Sequence, residues 1–222
     1  LTREGMDAFA IESLTRAQRA IDNGLNQKEI APVTIRTRRG EHTVSVDEQP
    51  HKANLEKIPQ LRPAFAENGT ITPANSSSIS DGASALLLAS EAAVEAHGLT
   101  ARARIVAHSR NSLAPEAFTL APIGAAEDVL AKAGWTVADV DLWEINEAFA
   151  MVTMLTMDAL KLDPACVNVH GGACAQGHPI GSTGSRIIVT LMHALEHYGK
   201  KRGVAALCIG GGEATAVAIE LV

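Results

Sequence analysis

Apolar residues recur at helical spacing from the start of the chain. Met6, Phe9, Leu14, Ala17 and Ile21 share a face, Thr2 stands where an N-cap belongs, and Gly24 closes the run. Residues 2–24 therefore predict an amphipathic helix. Short alternating runs at 33–35 and 43–46 flank Arg38-Arg39-Gly40 and predict a hairpin. Residues 47–74 are rich in proline, asparagine and charge, with one short helix expected near 55–61; such excursions are functional or linker segments. Residues 80–98 predict a further helix, with Asp81 in its first turn and His97-Gly98 at its end.

From residue 102 the pattern alternates regularly. Strand-like runs at 103–107 and 140–145 are each followed by a helical run, at 123–133 and 147–161. A turn-rich stretch, 168–179, leads into a predicted helix at 182–198, and two strand-like runs, 203–210 and 215–221, finish the chain. Alternation at this spacing implies βαβ units with helices on the faces of a sheet. It is not a Rossmann order, because two strands end it and no GxGxxG follows a first strand. No internal repeat or low-complexity tract is present.

Composition narrows the class. With 222 residues, 46% of them hydrophobic, the chain can bury one sizeable core or two modest ones. Aromatics are only 3%, which suits layers of small residues in close approach. A net charge of −6 argues against nucleic acid or an anionic membrane as the main partner. The most apolar run, 83–89, falls far short of the ~20 residues that span a bilayer. Three cysteines without framework spacing predict a reducing, cytoplasmic setting. The first residue is Leu1 and nothing near it resembles a signal peptide, so a removed start or a piece of a longer chain is expected.

Three segments carry chemistry. Asn146-Glu147-Ala148-Phe149 lies at the junction of a predicted strand and helix, the carboxyl edge where open α/β sheets place their sites. Taken alone, Asn146 reads first as a helix N-cap. His170, Cys174 and His178 stand four apart, a metal-ligand spacing on a helix. Gly171, Gly172, Gly177 and Pro179 argue against a helix there, and no metal is expected. A histidine held in a Gly-His-Pro bend ahead of a helix N-terminus is instead a reasonable general base. Cys208 ends an apolar run and opens onto Gly210-Gly211-Gly212, whose amides could line an oxyanion hole beside a thiol of tuned pKa. By itself a triple glycine is also an ordinary turn. The stripe Met151, Met154, Met157 reads as core packing, and Arg36, Arg38 and Arg39 as a solvated hairpin tip; a lesser reading has the arginines attract nucleotide phosphates.

In this order and spacing the three segments resemble the thiolase family, which carries Asn-Glu-Ala-Phe, Gly-His-Pro-Ile-Gly and Cys-Ile-Gly-Gly-Gly. All three stand unaltered here, at 146–149, 177–181 and 208–212. Met6-Asp7-Ala8-Phe9-Ala10, Leu61-Arg62-Pro63-Ala64-Phe65 and Asp81-Gly82-Ala83 are similar to thiolase as well, so the resemblance covers essentially the whole chain. It implies a layered αβαβα fold. Residues 1–76 would be most of the loop domain, 77–101 the tail of the N-terminal domain and 102–222 the C-terminal domain. It implies that His178 takes the proton of a nucleophilic cysteine, and that Asn146, through a water, joins His178 around a thioester oxygen. Cys208 would exchange the α-proton, and the Gly210 amide would serve a second oxyanion hole. Phe65, Ser77, Ala148 and Phe149 would line the pantetheine tunnel. The substrate would be a coenzyme A thioester, with no separate cofactor.

Two departures qualify the resemblance. The family's nucleophilic cysteine lies in an N-terminal half that this sequence lacks, and by motif neither Cys166, Cys174 nor Cys208 replaces it. A partner segment carrying that cysteine is therefore expected, together with a homo- or hetero-oligomer; without it, apolar residues at 86–88 would be left exposed. Glu213-Ala214 stands where many relatives carry a different residue followed by glycine. The competing reading is a catalytically inactive thiolase-like fragment that binds acyl-CoA or assembles with others. A decarboxylating ketoacyl synthase shares the architecture, but Asn146–Phe149 with Cys208 speaks against it.

Overall fold

A computed structural model describes all residues, 1–222. The first helix, α1 (Arg3–Asp22), is capped as expected: the Thr2 hydroxyl accepts from the Gly5 amide, and Met6, Ala10, Leu14, Ala17 and Ala20 are buried. The hairpin follows, β1 (Val33–Thr37) antiparallel to β2 (Gly40–Val44), with every residue exposed. A single turn, α2 (Gln49–Lys52), and a 3-10 turn at Leu55–Gln60 cross back beneath α1.

The predicted helix over 80–98 is half wrong. Only α3 (Glu91–His97) is helical, capped by the Ser90 hydroxyl, while 81–90 run without regular structure. The reason is tertiary. Ile79 pairs with His178, Gly82 passes against the Pro179 ring, and the Ser84 hydroxyl meets those of Ser182 and Ser185 at 2.7 and 2.6 Å. Winding this stretch into a helix would break each tether. Leu87 and Leu88 stand 86% and 71% exposed beyond it, and Leu86 is half-buried.

The C-terminal half is a four-stranded sheet. After β3 (Ala103–Ser112) come α4 (Ala121–Ala133), β4 (Leu142–Ile145), α5 (Ala150–Leu160), the one-turn α6 (Ala173–Gln176), α7 (Thr183–Tyr198), β5 (Arg202–Cys208) and β6 (Glu213–Leu221). The order is β3-β6-β5-β4, with β4 and β5 parallel and the other pairings antiparallel. Alternation along the strands divides the core in two. Ala214, Ala216, Ala218, Val204, Ala206, Trp143 and Ile145 face α4, while Ile219, Ala205 and Leu142 face Ile187, Leu191 and Leu195 of α7. Small residues on β6 let α4 sit close, which is where the alanine-rich composition is used. No helix is long and apolar enough to cross a membrane.

The helix expected at 147–161 begins only at Ala150. Phe149 is extended, Ser76 bridges it, and the Ser77 amide donates to the Ala148 carbonyl, so 147–149 are drawn into strand-like pairing first. The methionines are only partly buried; Ala150, Val152, Thr153 and Thr156 form the buried face of α5.

Candidate active site

Asn146 lies one residue past the end of β4, and its amide N–H donates to the Ala206 carbonyl at 2.9 Å. Cys208 ends β5, two residues beyond Ala206. The two residues thus sit at the carboxyl ends of adjacent parallel strands, the edge where open α/β sheets place their sites. The Asn146 side chain is 1% exposed, and neither its Nδ2 nor its Oδ1 has a partner within the chain. The N-cap reading is therefore wrong: Phe149 occupies the cap of α5, and the Asn146 amide keeps its full capacity for a water or a substrate oxygen.

His178 stands on the loop before α7, joined to the β4–α5 connection through the 76–79 segment. Its N–H donates to the Ser78 carbonyl at 2.9 Å and it bridges Ile79 in parallel. Gly177 precedes it at φ +84°, and a Cβ there would collide with Ser80, so glycine suits the close passage of the 76–80 segment. Burial, and then the Arg186 guanidinium, hold the His178 imidazole below its ordinary value, so it rests neutral. Burial pushes the Cys208 thiol up to about 11, so it rests protonated. A neutral imidazole can accept a proton, and a protonated thiol can give one.

Beyond Cys208, the Ile209 amide donates to the Glu213 carbonyl and that of Gly212 to the Ile209 carbonyl. The Gly210 amide is left outside this turn, and the residue is exposed with open space around it. Ser77 and Ala148 are joined directly, and Phe149 stacks edge-on against Phe65 and Phe118, with ring centroids 6.4 and 6.2 Å apart. Phe118 carries no sequence signal, because no motif surrounds it. Contrary to the sequence reading, one helical turn does form in the segment from His170 to His178: α6, which carries Cys174. His170 is buried against His197 and Tyr198, so the three side chains are not gathered as a ligand group.

The motif's second residue is the hidden organiser. Glu147 is fully buried; its Oε2 accepts from Ser13 Oγ at 2.7 Å and the Cys174 amide at 3.0 Å, and its Oε1 from Asn168 Nδ2 at 2.8 Å. It ties α1 and the end of β4 to the glycine loop that leads to His178. Sequence alone offers one signal, a carboxylate among apolar neighbours. A cavity of about 370 Å³ between α1 and the 55–60 turn, lined by Ala10, Lys57, Ile58 and Cys174, contains none of His178, Asn146 or Cys208.

Two family models match the chain: the C-terminal domain of thiolase over residues 99–221 and the N-terminal domain of thiolase over residues 1–92. The chain belongs to the thiolase family. Acetyl-CoA acetyltransferase of Yarrowia lipolytica is 48% identical over 222 residues, spanning 100% of this chain and 55% of that protein. The cytosolic acetyl-CoA acetyltransferase of Mus musculus is 46% identical over 223 residues, spanning 99% and 56%. Among solved structures, the Bacillus anthracis acetyl-CoA acetyltransferase superposes with TM-score 0.96 at 41% identity, covering 100% of this chain and 57% of its own. A thiolase from Ascaris suum in complex with coenzyme A gives 0.89 at 39%, covering 100% and 56%. The chain spans about half the length of these thiolase relatives, and its fold is the thiolase α/β fold, with an α-β-α stack around the four-stranded sheet.

Proposed function

We propose that this chain supplies the acid/base and oxyanion groups of an acyl-CoA C-acyltransferase, catalysing reversible Claisen condensation of acetyl-CoA or thiolysis of a 3-ketoacyl-CoA. The observation that carries this reading is the placement of Asn146 and Cys208 at the ends of neighbouring parallel strands, with the 76–79 segment joining His178 to Ala148 and Phe149. The names of the relatives and the coenzyme A bound to the Ascaris suum thiolase agree with it.

The nucleophilic cysteine belongs, in this reading, to a further thiolase segment outside these residues. Burial raises the thiols of both Cys174 and Cys208, which disfavours the thiolate that attack requires. His178 takes the proton of that external thiol, the thiolate attacks the thioester carbonyl, and coenzyme A leaves as its thiol with the proton from His178. In thiolysis Cys208 gives its proton to the departing carbanion and regains one from the His178 imidazolium. In condensation the reverse runs: Cys208 passes its proton to His178 and then, as thiolate, takes the α-proton of acetyl-CoA. Asn146, through a water, and the Nε2–H of His178 once it carries the extra proton hold the thioester oxygen, and the Gly210 amide the oxygen of the acyl-enzyme. Phe65, Ser77, Ala148 and Phe149 line the pantetheine path, and the thioester itself is the only cofactor-like group needed. The division into 1–76, 77–101 and 102–222, a cytoplasmic oligomer and a partner segment over Ile79, Leu87 and Leu88 belong to the same proposal.

The test is thiolysis of acetoacetyl-CoA by the purified protein, with a denaturing mass spectrum of the same sample. Turnover with the additional thiolase segment present supports the reading. An inactive preparation that contains that segment, folded and with its cysteine free, overturns it in favour of an acyl-CoA-binding or assembly role.

A further inference from the structure

The imidazole of His178 has one polar neighbour on its Nδ1 side. Thr183, fully buried in the first turn of α7, places its Oγ1 at 2.6 Å from Nδ1 and at 3.1 Å from the Pro179 carbonyl oxygen. That carbonyl is fixed, since it also accepts the amides of Ser182 and Thr183 at 2.7 and 2.9 Å. One hydroxyl proton must serve both contacts. If it points at Nδ1, the ring keeps its own proton on Nε2, and two oxygens face each other at 3.1 Å with no proton between them. If it points at Pro179, Oγ1 is free to accept from Nδ1–H, and both contacts become hydrogen bonds. The same atoms make one bond more in the second arrangement.

We propose that Thr183 is a positioning residue that holds neutral His178 as the Nδ1–H tautomer, so that the Nε2 lone pair faces the site. The consequence for catalysis rests on the acyltransferase reading; the tautomer does not. When a thiol approaches, its S–H bond breaks and an Nε2–H bond forms. The products are a thiolate and an imidazolium whose Nδ1–H still donates to Thr183. The opposite tautomer has no lone pair to offer at Nε2, and its Nδ1 lone pair is covered by the threonine hydroxyl. Burial and the Arg186 charge keep the ring neutral, so its tautomer decides whether it can act as a base.

The experiment is a two-bond ¹H–¹⁵N correlation on protein labelled with ¹⁵N-histidine, at a pH above the imidazole range, with His178 assigned by its loss in His178→Gln. Wild type is expected to carry its proton on Nδ1. Thr183→Val, of nearly the same shape but without the hydroxyl, should move the tautomer ratio about tenfold towards Nε2–H, the worth of one hydrogen bond. Thr183→Ser should retain Nδ1–H. In thiolysis, Thr183→Val should lower kcat by up to about tenfold with little change in KM, the factor by which the Nδ1–H form is depleted, and Thr183→Ser should recover most of that loss. A wild-type ring protonated on Nε2, or an unchanged ratio in folded Thr183→Val, overturns the proposal. Should the valine variant fail to fold, the wild-type tautomer and its retention in Thr183→Ser decide the matter. A wild-type enzyme without thiolysis would count against the acyltransferase reading alone, because the spectrum reads the tautomer independently of turnover.

Discussion

Ser77 and Ala148 are tied twice through one atom. The Ser77 amide and the Ser77 hydroxyl both donate to the Ala148 carbonyl, at 3.1 and 3.0 Å. On either side the same strap pairs Ser76 with Phe149 and Ile79 with His178. Four residues of extended chain thus hold the end of the β4–α5 connection against the histidine loop. Positions distant in sequence are aligned by backbone bonds, which tolerate little drift.

Ser77→Ala removes only the hydroxyl half of this pairing. Stability should fall by about 1 kcal/mol, the net value of one such bond. Urea unfolding should show a lower midpoint at an unchanged slope, since the fold buries the same surface. A drop of several kcal/mol would mean the hydroxyl supports more than the Ala148 carbonyl.

Gly172 lies against the Glu147 carboxylate, and a Cβ there would collide with it. Gly172→Ala should cost about 2–3 kcal/mol, because both partners are buried and neither can retreat. Glu147→Gln should cost about 2 kcal/mol or more, since an NH₂ group would then face a donor among Ser13, Asn168 and Cys174. Combined in one protein, the two losses should fall short of their sum, which a double-mutant cycle measures.

Glu144 lies in β4 at 2% exposure, with Oε1 unpartnered, and burial raises its carboxyl to about 8 against an ordinary value of 4.5. Arg186 opposes that rise, while Glu29 and Glu147 add to it. The folded state holds this proton more tightly than the unfolded chain does. The stabilisation is complete below about 4.5 and is lost as pH climbs through about 8. Denaturation midpoints should therefore fall across that window, and Glu144→Gln should flatten the fall. An unchanged slope in the glutamine variant would exclude Glu144 as its source.

For the assembled enzyme the two proposed proton carriers should separate kinetically. His178→Ala should abolish formation of the acyl-enzyme. Cys208→Ser should leave that first half-reaction intact and reduce overall turnover at least about 100-fold, or roughly 3 kcal/mol of barrier. A burst experiment with acetyl-CoA resolves the two steps. Undiminished turnover in Cys208→Ser would remove it from the proton pathway.

Much of the site is legible in the amino-acid sequence because its parts are local. Asn146, His178 and Cys208 each sit in a short glycine- or motif-marked segment at the end of an element, and the strand-helix alternation puts two of them at one sheet edge. The supporting residues are harder to read. Thr183 and Ser13 are ordinary helix residues in sequence, and Phe118 lies in a 3-10 turn without periodicity. Asn168 sits at φ +47° with its side chain bonded to both backbone groups of Ile145, a role no spacing announces. Ser13, Phe118 and Asn168 act across long sequence separations and Thr183 through a side-chain contact around a turn, whereas periodicity reports only which residues share a face.

The failed helix at 81–90 marks the boundary between the two kinds of information. Local residue order accounts for the amphipathic α1, the strand-helix alternation and the three motif segments, because turn geometry and side-chain periodicity are properties of adjacent residues. Contacts from remote segments keep 81–90 out of a helix and make 147–149 pair before α5 begins. They also make Glu147 the anchor of the histidine loop. In each case a backbone bond or a hydroxyl contact from a remote segment outweighs local propensity, which is worth only a few tenths of a kcal/mol to about 1 kcal/mol per residue.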